Sequence, residues 1–350
     1  MIEIIIGENQ AGQRFDKYLG KLLSNAPSSF YYKMLRKKNI TLNGKKAEGK
    51  EKLAVGDCVK LFLAQETFEK FSGSKEEANL KLPKELAIVY EDKQIILWNK
   101  PVNILSQKAK DTDISLNEYF LSYLVSSGQL KQEDFQTFKP SICNRLDRNT
   151  SGLVICGKTL SGLQKMNELL KTRELEKYYI CAIKGELKEA VSLEGYLKKD
   201  SSTNKVQLSK CEAEDSSYIQ TEIRPLLTFV LSTNLVNKNG KEGKQNKQLC
   251  TLAEVHLITG KTHQIRAHLA SIGHPILCDY KYGDRKLNDS IKATYGVSEQ
   301  LLHAYRLVFP KLNEPFTEIS ERTFQTGFPA RFRKLGIHFD SDIIQNKKRG

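Results

Sequence analysis

Asp147 stands between two arginines in the run Asn144-Arg145-Leu146-Asp147-Arg148-Asn149-Thr150-Ser151-Gly152-Leu153. Nearby cations keep a carboxylate ionised at neutral pH, and an ionised carboxylate in a turn is a competent nucleophile. A structural salt bridge within a turn would leave the same trace. A second run, Leu257-Ile258-Thr259-Gly260-Lys261-Thr262-His263-Gln264-Ile265-Arg266-Ala267-His268-Leu269, ends at Gly273-His274-Pro275. Thr262 is placed to cap a short helix there, and Gly273 to end it. Ile265, Leu269 and Ile272 would share one face, with His263 and Arg266 on the other, three residues apart. An apolar back and a cationic front suit the wall of a site; a surface helix with a wet polar face is the plainer alternative.

Two other patterns carry less. Gly152-Leu153-Val154-Ile155-Cys156-Gly157-Lys158-Thr159 fits the spacing of a phosphate-binding loop. Its four central residues favour a strand instead of a tight anion-cradling turn, so Thr159 or Ser161 is expected to cap the helix that follows. His263 and His268 are separated by about 140° on a helix, so they share no face. With His274 and Cys278 they form no recognisable metal spacing. These histidines are expected to contact phosphate or base, or to be satisfied structural groups. No metal and no nucleotide cofactor is expected.

The elements that must position these residues fall into unequal parts. Residues 1–71 read as a compact basic module. Phe15, Leu19 and Leu22 recur at helical spacing, as do Tyr31 and Leu35; Asn43-Gly44 marks a tight hairpin and Gly56-Asp57 a further turn. Lys33, Arg36, Lys37, Lys38, Lys45 and Lys46 crowd the second helix and its exit beside Tyr31 and Tyr32. Cations for phosphates and rings for bases suit an RNA surface, although core tyrosines and solvating lysines would look alike. Residues 72–84 read as a linker, 85–332 as the large domain and 333–350 as a basic, frayed tail. In the large domain, short β-rich runs (86–90, 95–98, 153–156, 178–183, 251–258) alternate with a few helices, one near 160–171 striped by Leu163, Met166 and Leu170. The pattern predicts an α+β domain with a mixed, largely antiparallel sheet and flanking helices. The polar stretch 232–248 reads as a long exposed hairpin loop.

Composition narrows the function classes. The 350 residues carry 55 Lys and Arg against 41 Asp and Glu, a formal charge of +14 that favours polyanionic partners. No apolar run reaches the roughly 20 residues of a bilayer span. Seven scattered cysteines without a C-x-x-C pair argue against a disulfide framework or a zinc ribbon, and for the cytoplasm.

The Asn144–Leu153 run closely resembles the catalytic motif of the RluA family of pseudouridine synthases. Lys177-Tyr178-Tyr179-Ile180-Cys181-Ala182-Ile183-Lys184-Gly185 resembles the family strand with an active-site tyrosine, Thr259–Arg266 the segment with a basic partner, and Leu301–Ala304 with Leu307 and Phe309 the closing strand. Arg14–Leu19, Arg36–Lys38 and Ile40–Lys45 resemble the alpha-L RNA-binding module of ribosomal proteins, a small α/β unit that precedes the catalytic domain in many members. The resemblance spans residues 85–325. It implies an RNA pseudouridine synthase without a cofactor: Asp147 as nucleophile, Arg266 pairing with it, and Tyr179 packing on the base. Arg145, Arg148, His263, Gln264, Arg36, Lys37 and Lys38 are the expected substrate contacts. The protein is expected to be a monomer whose partner is ribosomal RNA of the large subunit; tRNA is the alternative substrate, and a catalytically silent RNA-binding or ribosome assembly factor the alternative function. Asn144 replaces a usual His, Val102-Asn103 a usual Ala-Gly, and Cys278 a usual Gly.

Overall fold

Two sheets of different size organise the chain. The computed structural model describes residues 1–72, 80–131, 134–135, 137–200, 206–236 and 242–338. The first sheet holds β1 (Ile2–Ile5), β2 (Ile40–Leu42), β3 (Lys45–Lys46) and β4 (Cys58–Leu61) in the order β1-β4-β2-β3, with helices α1 (Phe15–Leu22), α2 (Ser28–Arg36) and α3 (Gln65–Phe71). The helical spacing seen in the sequence becomes a core of its own, in which Phe15, Leu19, Leu35, Ile40 and Leu61 are buried. Asn43 and Gly44 have φ of 51° and 72° between β2 and β3, the paired positive values that a tight hairpin turn requires.

Among the described residues the second sheet has eleven strands. They are β5 (Ala87–Glu91), β6 (Ile95–Lys100), β7 (Ser141–Ile142), β8 (Ser151–Gly157), β9 (Glu176–Lys184), β10 (Val191–Lys199), β11 (Val206–Ser209), β12 (Ser217–Val236), β13 (Glu242–Leu257), β14 (Leu302–Val308) and β15 (Thr323–Gln325). The order is β11-β10-β12-β13-β9-β14-β8-β6-β5, with β15 on β14 and β7 on β8. Among the described residues every pairing in it is antiparallel except β14 with β8, where His303 meets Ser151 and Ala304 meets Gly152. Gly152 (φ 119°) permits this approach, since a Cβ there would lie 2.1 Å from the Ala304 carbonyl oxygen.

Strand alternation divides the core between the faces of the sheet. Tyr179, Cys181, Val255 and Trp98 face one side, with α4 (Leu116–Ser126) and α6 (Gln264–Ser271). Ile180, Ala182 and Leu252 face the other with α7 (Arg285–Tyr295) and α8 (Ala330–Arg333), while Ile155 and Leu97 pack with α5 (Leu160–Thr172). The Gly152–Thr159 run is strand β8 followed by Thr159, whose side chain caps α5 by accepting from Gly162 N–H. In α5, Met166 and Leu169 are buried, whereas Leu163 and Leu170 are only half-buried.

Three expectations change. The stretch 232–248 is not an exposed loop over its described part: β12 and β13 run on through 232–236 and 242–248, pairing Ser232 with Lys247, because the hairpin ladder satisfies backbone groups that a loop would leave to water. Residues 237–241 lie outside the described residues. The linker lies partly outside them too, but at Leu80 the chain is already docked, exchanging hydrogen bonds with the Ser122 hydroxyl of α4. Beyond 332, Leu335 and Ile337 are buried, so packed structure extends into the expected tail; 339–350 lies outside the described residues. Among the described residues no helix is long and apolar enough to cross a membrane.

Candidate active site

The segment between β7 and β8 carries Asp147, and its neighbours fix its path. Asn144 accepts from Ile155 N–H (2.8 Å) and donates to the Leu153 carbonyl (3.3 Å), tying the segment back onto β8. The Ser106 hydroxyl donates to the Leu146 carbonyl (2.7 Å) and accepts Leu146 N–H (3.0 Å). Lys100, a fully buried side chain, reaches the same segment and donates from Nζ to the carbonyls of Pro101 (2.9 Å), Ile104 (2.8 Å) and Arg148 (3.3 Å). Burial draws Lys100 down to about 7, against the pull of Asp147.

Arg266 meets Asp147 from α6. Its Nη1 donates to Asp147 Oδ2 at 2.7 Å, while Nε and Nη2 donate to Asp279 at 2.7 and 2.9 Å. Burial would lower the guanidinium, but the hydrogen bonds and charge of Asp279 and then Asp147 hold it above its ordinary value. Burial likewise opposes ionisation of Asp279, and the bonds from Arg266 and two backbone N–H groups outweigh it. The pair expected from sequence is therefore a triad in space. Arg145 and Arg148, expected to keep Asp147 charged, are exposed and form no ion pair with it among the described residues.

Tyr179 is buried, and its ring lines a cavity of about 740 Å³ together with Asp147, Arg145, His263 and Arg266. Burial, and then Asp147, push its phenol well above the usual range, so the ring stays neutral. His263 lies with Nε2 3.7 Å from Asp147 Oδ2 and Nδ1 3.0 Å from the Tyr282 hydroxyl. It also takes the place expected of Thr262, standing before α6 with a left-handed φ of 56° and no side-chain cap.

The helix behind this wall is not wet on its polar face: Gln264, Arg266 and His268 are all buried. Gln264 lines the cavity, but its amide accepts from Thr259 and Lys261 and donates to Gln220 and Thr221, so it braces the turn before α6. Arg148 donates weakly to the Asn103 carbonyl at 3.4 Å. Arg36, Lys37 and Lys38 are exposed on the small module, away from the cavity lining. His268 and His274 bind Thr221 and the Lys184 carbonyl, at separate places.

Sequence reading missed Asp279, Tyr282, Lys100 and Ser106. Two departures from the resembled family acquire a reason. Asn103 and Cys278 both have left-handed backbones, φ 68° and 62°, at positions where glycine is usual. Asparagine adopts that conformation readily; cysteine does so less easily and is held by burial and by Cys278 N–H donating to Asn288.

The chain is similar to known proteins over most of its length. Residues 94–271 match the family described as RNA pseudouridylate synthase. An uncharacterized RNA pseudouridine synthase of Mycoplasma capricolum is 30% identical over 92% of this chain and 96% of its own. The ribosomal large subunit pseudouridine synthase C of Vibrio vulnificus is 27% identical over 92% and 95%. Among solved structures, human RNA pseudouridylate synthase domain containing 1 shares the fold with a TM-score of 0.53, at 17% identity, over 79% of this chain and 98% of that one. With its matched segment covering the Asp147 loop, Tyr179 and Arg266, the chain belongs to the RNA pseudouridylate synthase family.

Proposed function

We propose that the chain isomerises uridine to pseudouridine in large-subunit ribosomal RNA, with Asp147 as nucleophile, in the cytoplasm. The observation that carries the reading is the carboxylate of Asp147, held through Oδ2 by Arg266 at the wall of a cavity able to take a single nucleoside. The reaction breaks the N1–C1′ bond, joins C5 to C1′ and moves one proton from C5 to N1, so it adds no water. Glycoside hydrolysis needs a second carboxylate to activate water or protonate a leaving group. Here one carboxylate attacks, at the sugar or the ring, and the second, Asp279, is consumed in holding Arg266. Tyr179 supplies a neutral ring for the base to pack on. A paired uridine cannot enter, so the target is flipped out or unpaired. Exposed Arg145 and Arg148 at the cavity suit the flanking phosphates, and the basic face of the small module suits RNA further away. The relatives named for the large ribosomal subunit support that substrate.

The test is pseudouridine-specific chemical labelling and sequencing of RNA from a deletion strain, complemented with the wild type or with Asp147→Asn. A large-subunit site that disappears on deletion, returns with wild type and stays absent with Asp147→Asn is the expected result. Binding of RNA by that variant should stay within a few-fold. Restoration by Asp147→Asn would remove the nucleophile assignment, and loss of a tRNA site alone would remove the substrate.

A further inference from the structure

Both ring nitrogens of His263 have a protein group nearby. Nδ1 lies 3.0 Å from Tyr282 Oη, and the two rings meet edge to face with centroids 5.5 Å apart. Tyr282 Oη also accepts the backbone N–H of Val206, on edge strand β11, at 2.9 Å. A phenol oxygen that accepts from an amide has its own proton left to give, and the nearby acceptor is Nδ1. That assigns the proton of the neutral imidazole to Nε2, the nitrogen 3.7 Å from Asp147 Oδ2. The chain of donors thus runs from β11 through Tyr282 to His263, whose Nε2 stops 3.7 Å from the carboxylate.

Arg266 Nη1 uses the same oxygen, Oδ2. Among the described residues no hydrogen bond is made to Oδ1. We infer that His263, oriented by Tyr282, is a second positioning residue for Asp147: it closes on Oδ2 when RNA fills the cavity and leaves Oδ1 as the attacking atom. The inference rests on Asp147 being the nucleophile.

The environment suits a neutral donor. Burial brings His263 down to about 4; Asp147 and Asp279 raise it and Arg266 and Lys281 lower it further, so at neutral pH it adds an N–H without a charge. A second full cation on the carboxylate would steady it at the expense of its nucleophilicity, whereas a neutral N–H orients it with a smaller loss. The left-handed backbone of His263 is a conformation that this residue type visits more than most, and constrained backbones of this kind gather at working sites.

The experiment is single-turnover pseudouridine formation against RNA concentration, using large-subunit ribosomal RNA from a deletion strain. His263→Ala, His263→Asn, His263→Gln and Tyr282→Phe are compared in the full-length protein. Asparagine tolerates the left-handed backbone but is too short to reach Oδ2, so it guards against a folding defect in the alanine variant. Glutamine carries an N–H about as far as Nε2. Expected are plateau rates lowered on the order of 10- to 100-fold for alanine and asparagine, recovered about tenfold by glutamine and intermediate for Tyr282→Phe, with half-saturation within about twofold throughout. In an Asp147→Asn background the His263 substitutions should change nothing further. A raised half-saturation point with an unchanged plateau would make His263 an RNA contact and overturn the proposal, as would equal plateaus for asparagine and glutamine. Turnover by Asp147→Asn alone would instead strike the nucleophile assignment beneath it.

Discussion

Arg266 grips two carboxylates that lie 119 and 13 residues away in sequence, Asp147 through Nη1 and Asp279 through Nε and Nη2. Asp279 takes the two-point contact and Asp147 a single one. A guanidinium fixed on one edge by a buried acid presents its remaining N–H groups in a set direction, which is what aims the Asp147 carboxylate.

Replacing Arg266 by alanine should lower the single-turnover rate by a factor on the order of 10² or more, because Asp147 loses both orientation and charge stabilisation. Arg266→Lys should recover part of the charge effect but not the forked contact to Asp279. Rates at saturating RNA check both, and a wild-type rate in the alanine variant would dissolve the pairing.

Asp279→Ala removes one partner of a buried ion pair and the acceptor for the N–H groups of Lys281 and Tyr282. The expected loss is about 3–5 kcal/mol of folding free energy, measured by denaturant titration. The rate of folded variant at saturating RNA should also fall, since Arg266 is then free to turn.

Lys100→Met tests the support of the Asp147 segment. Three carbonyls lose a donor, so a destabilisation of about 1–3 kcal/mol is expected near pH 6, together with a lower plateau rate. The pH dependence has a definite sign. Lys100 folds with its value drawn down to about 7, so above that pH the folded chain has released a proton that the unfolded chain still holds. Wild-type stability relative to Lys100→Met therefore rises with pH from about 7 up to the ordinary lysine range, by at most about 1.4 kcal/mol per unit, and is flat below it. Denaturant titrations of both proteins between pH 6 and 10 read this directly.

The exposed cluster Arg36, Lys37 and Lys38 should grip RNA without touching chemistry. Arg36→Gln, Lys37→Gln and Lys38→Asn together keep the fold; asparagine suits the left-handed φ of 59° at position 38. Each phosphate left without its cation lowers the salt slope of binding by about 0.7–0.9, so a fall of about 2 is expected with a raised half-saturation point and an unchanged plateau. A collapsed plateau with unchanged binding would mean that the module shapes the cavity instead, for which the Gln10–Thr137 hydrogen bond offers a route.

Local sequence settled what local physics can settle. Asn43-Gly44 dictates its turn because both residues accept positive φ; Thr159 caps α5; the β-rich runs become strands; and Asp147 announces itself by its place in the Asn144–Leu153 motif and Arg266 by its own. What the sequence does not contain is which cation reaches which acid. Arg145 and Arg148 lie within two residues of Asp147 in the chain yet form no ion pair with it among the described residues, and the partner comes from a helix that only the β13–β9–β14–β8 order brings alongside. Polar residues that do structural work inside the fold are similarly invisible: Lys100 looks like any surface lysine, and only burial among three carbonyls makes it a clamp. Ser151 is braced by His303 and Arg331, 152 and 180 residues onward. Short-range patterns record the backbone that each segment prefers. Packing decides the rest, because a buried charge or hydroxyl must find a partner wherever the sheet happens to carry one.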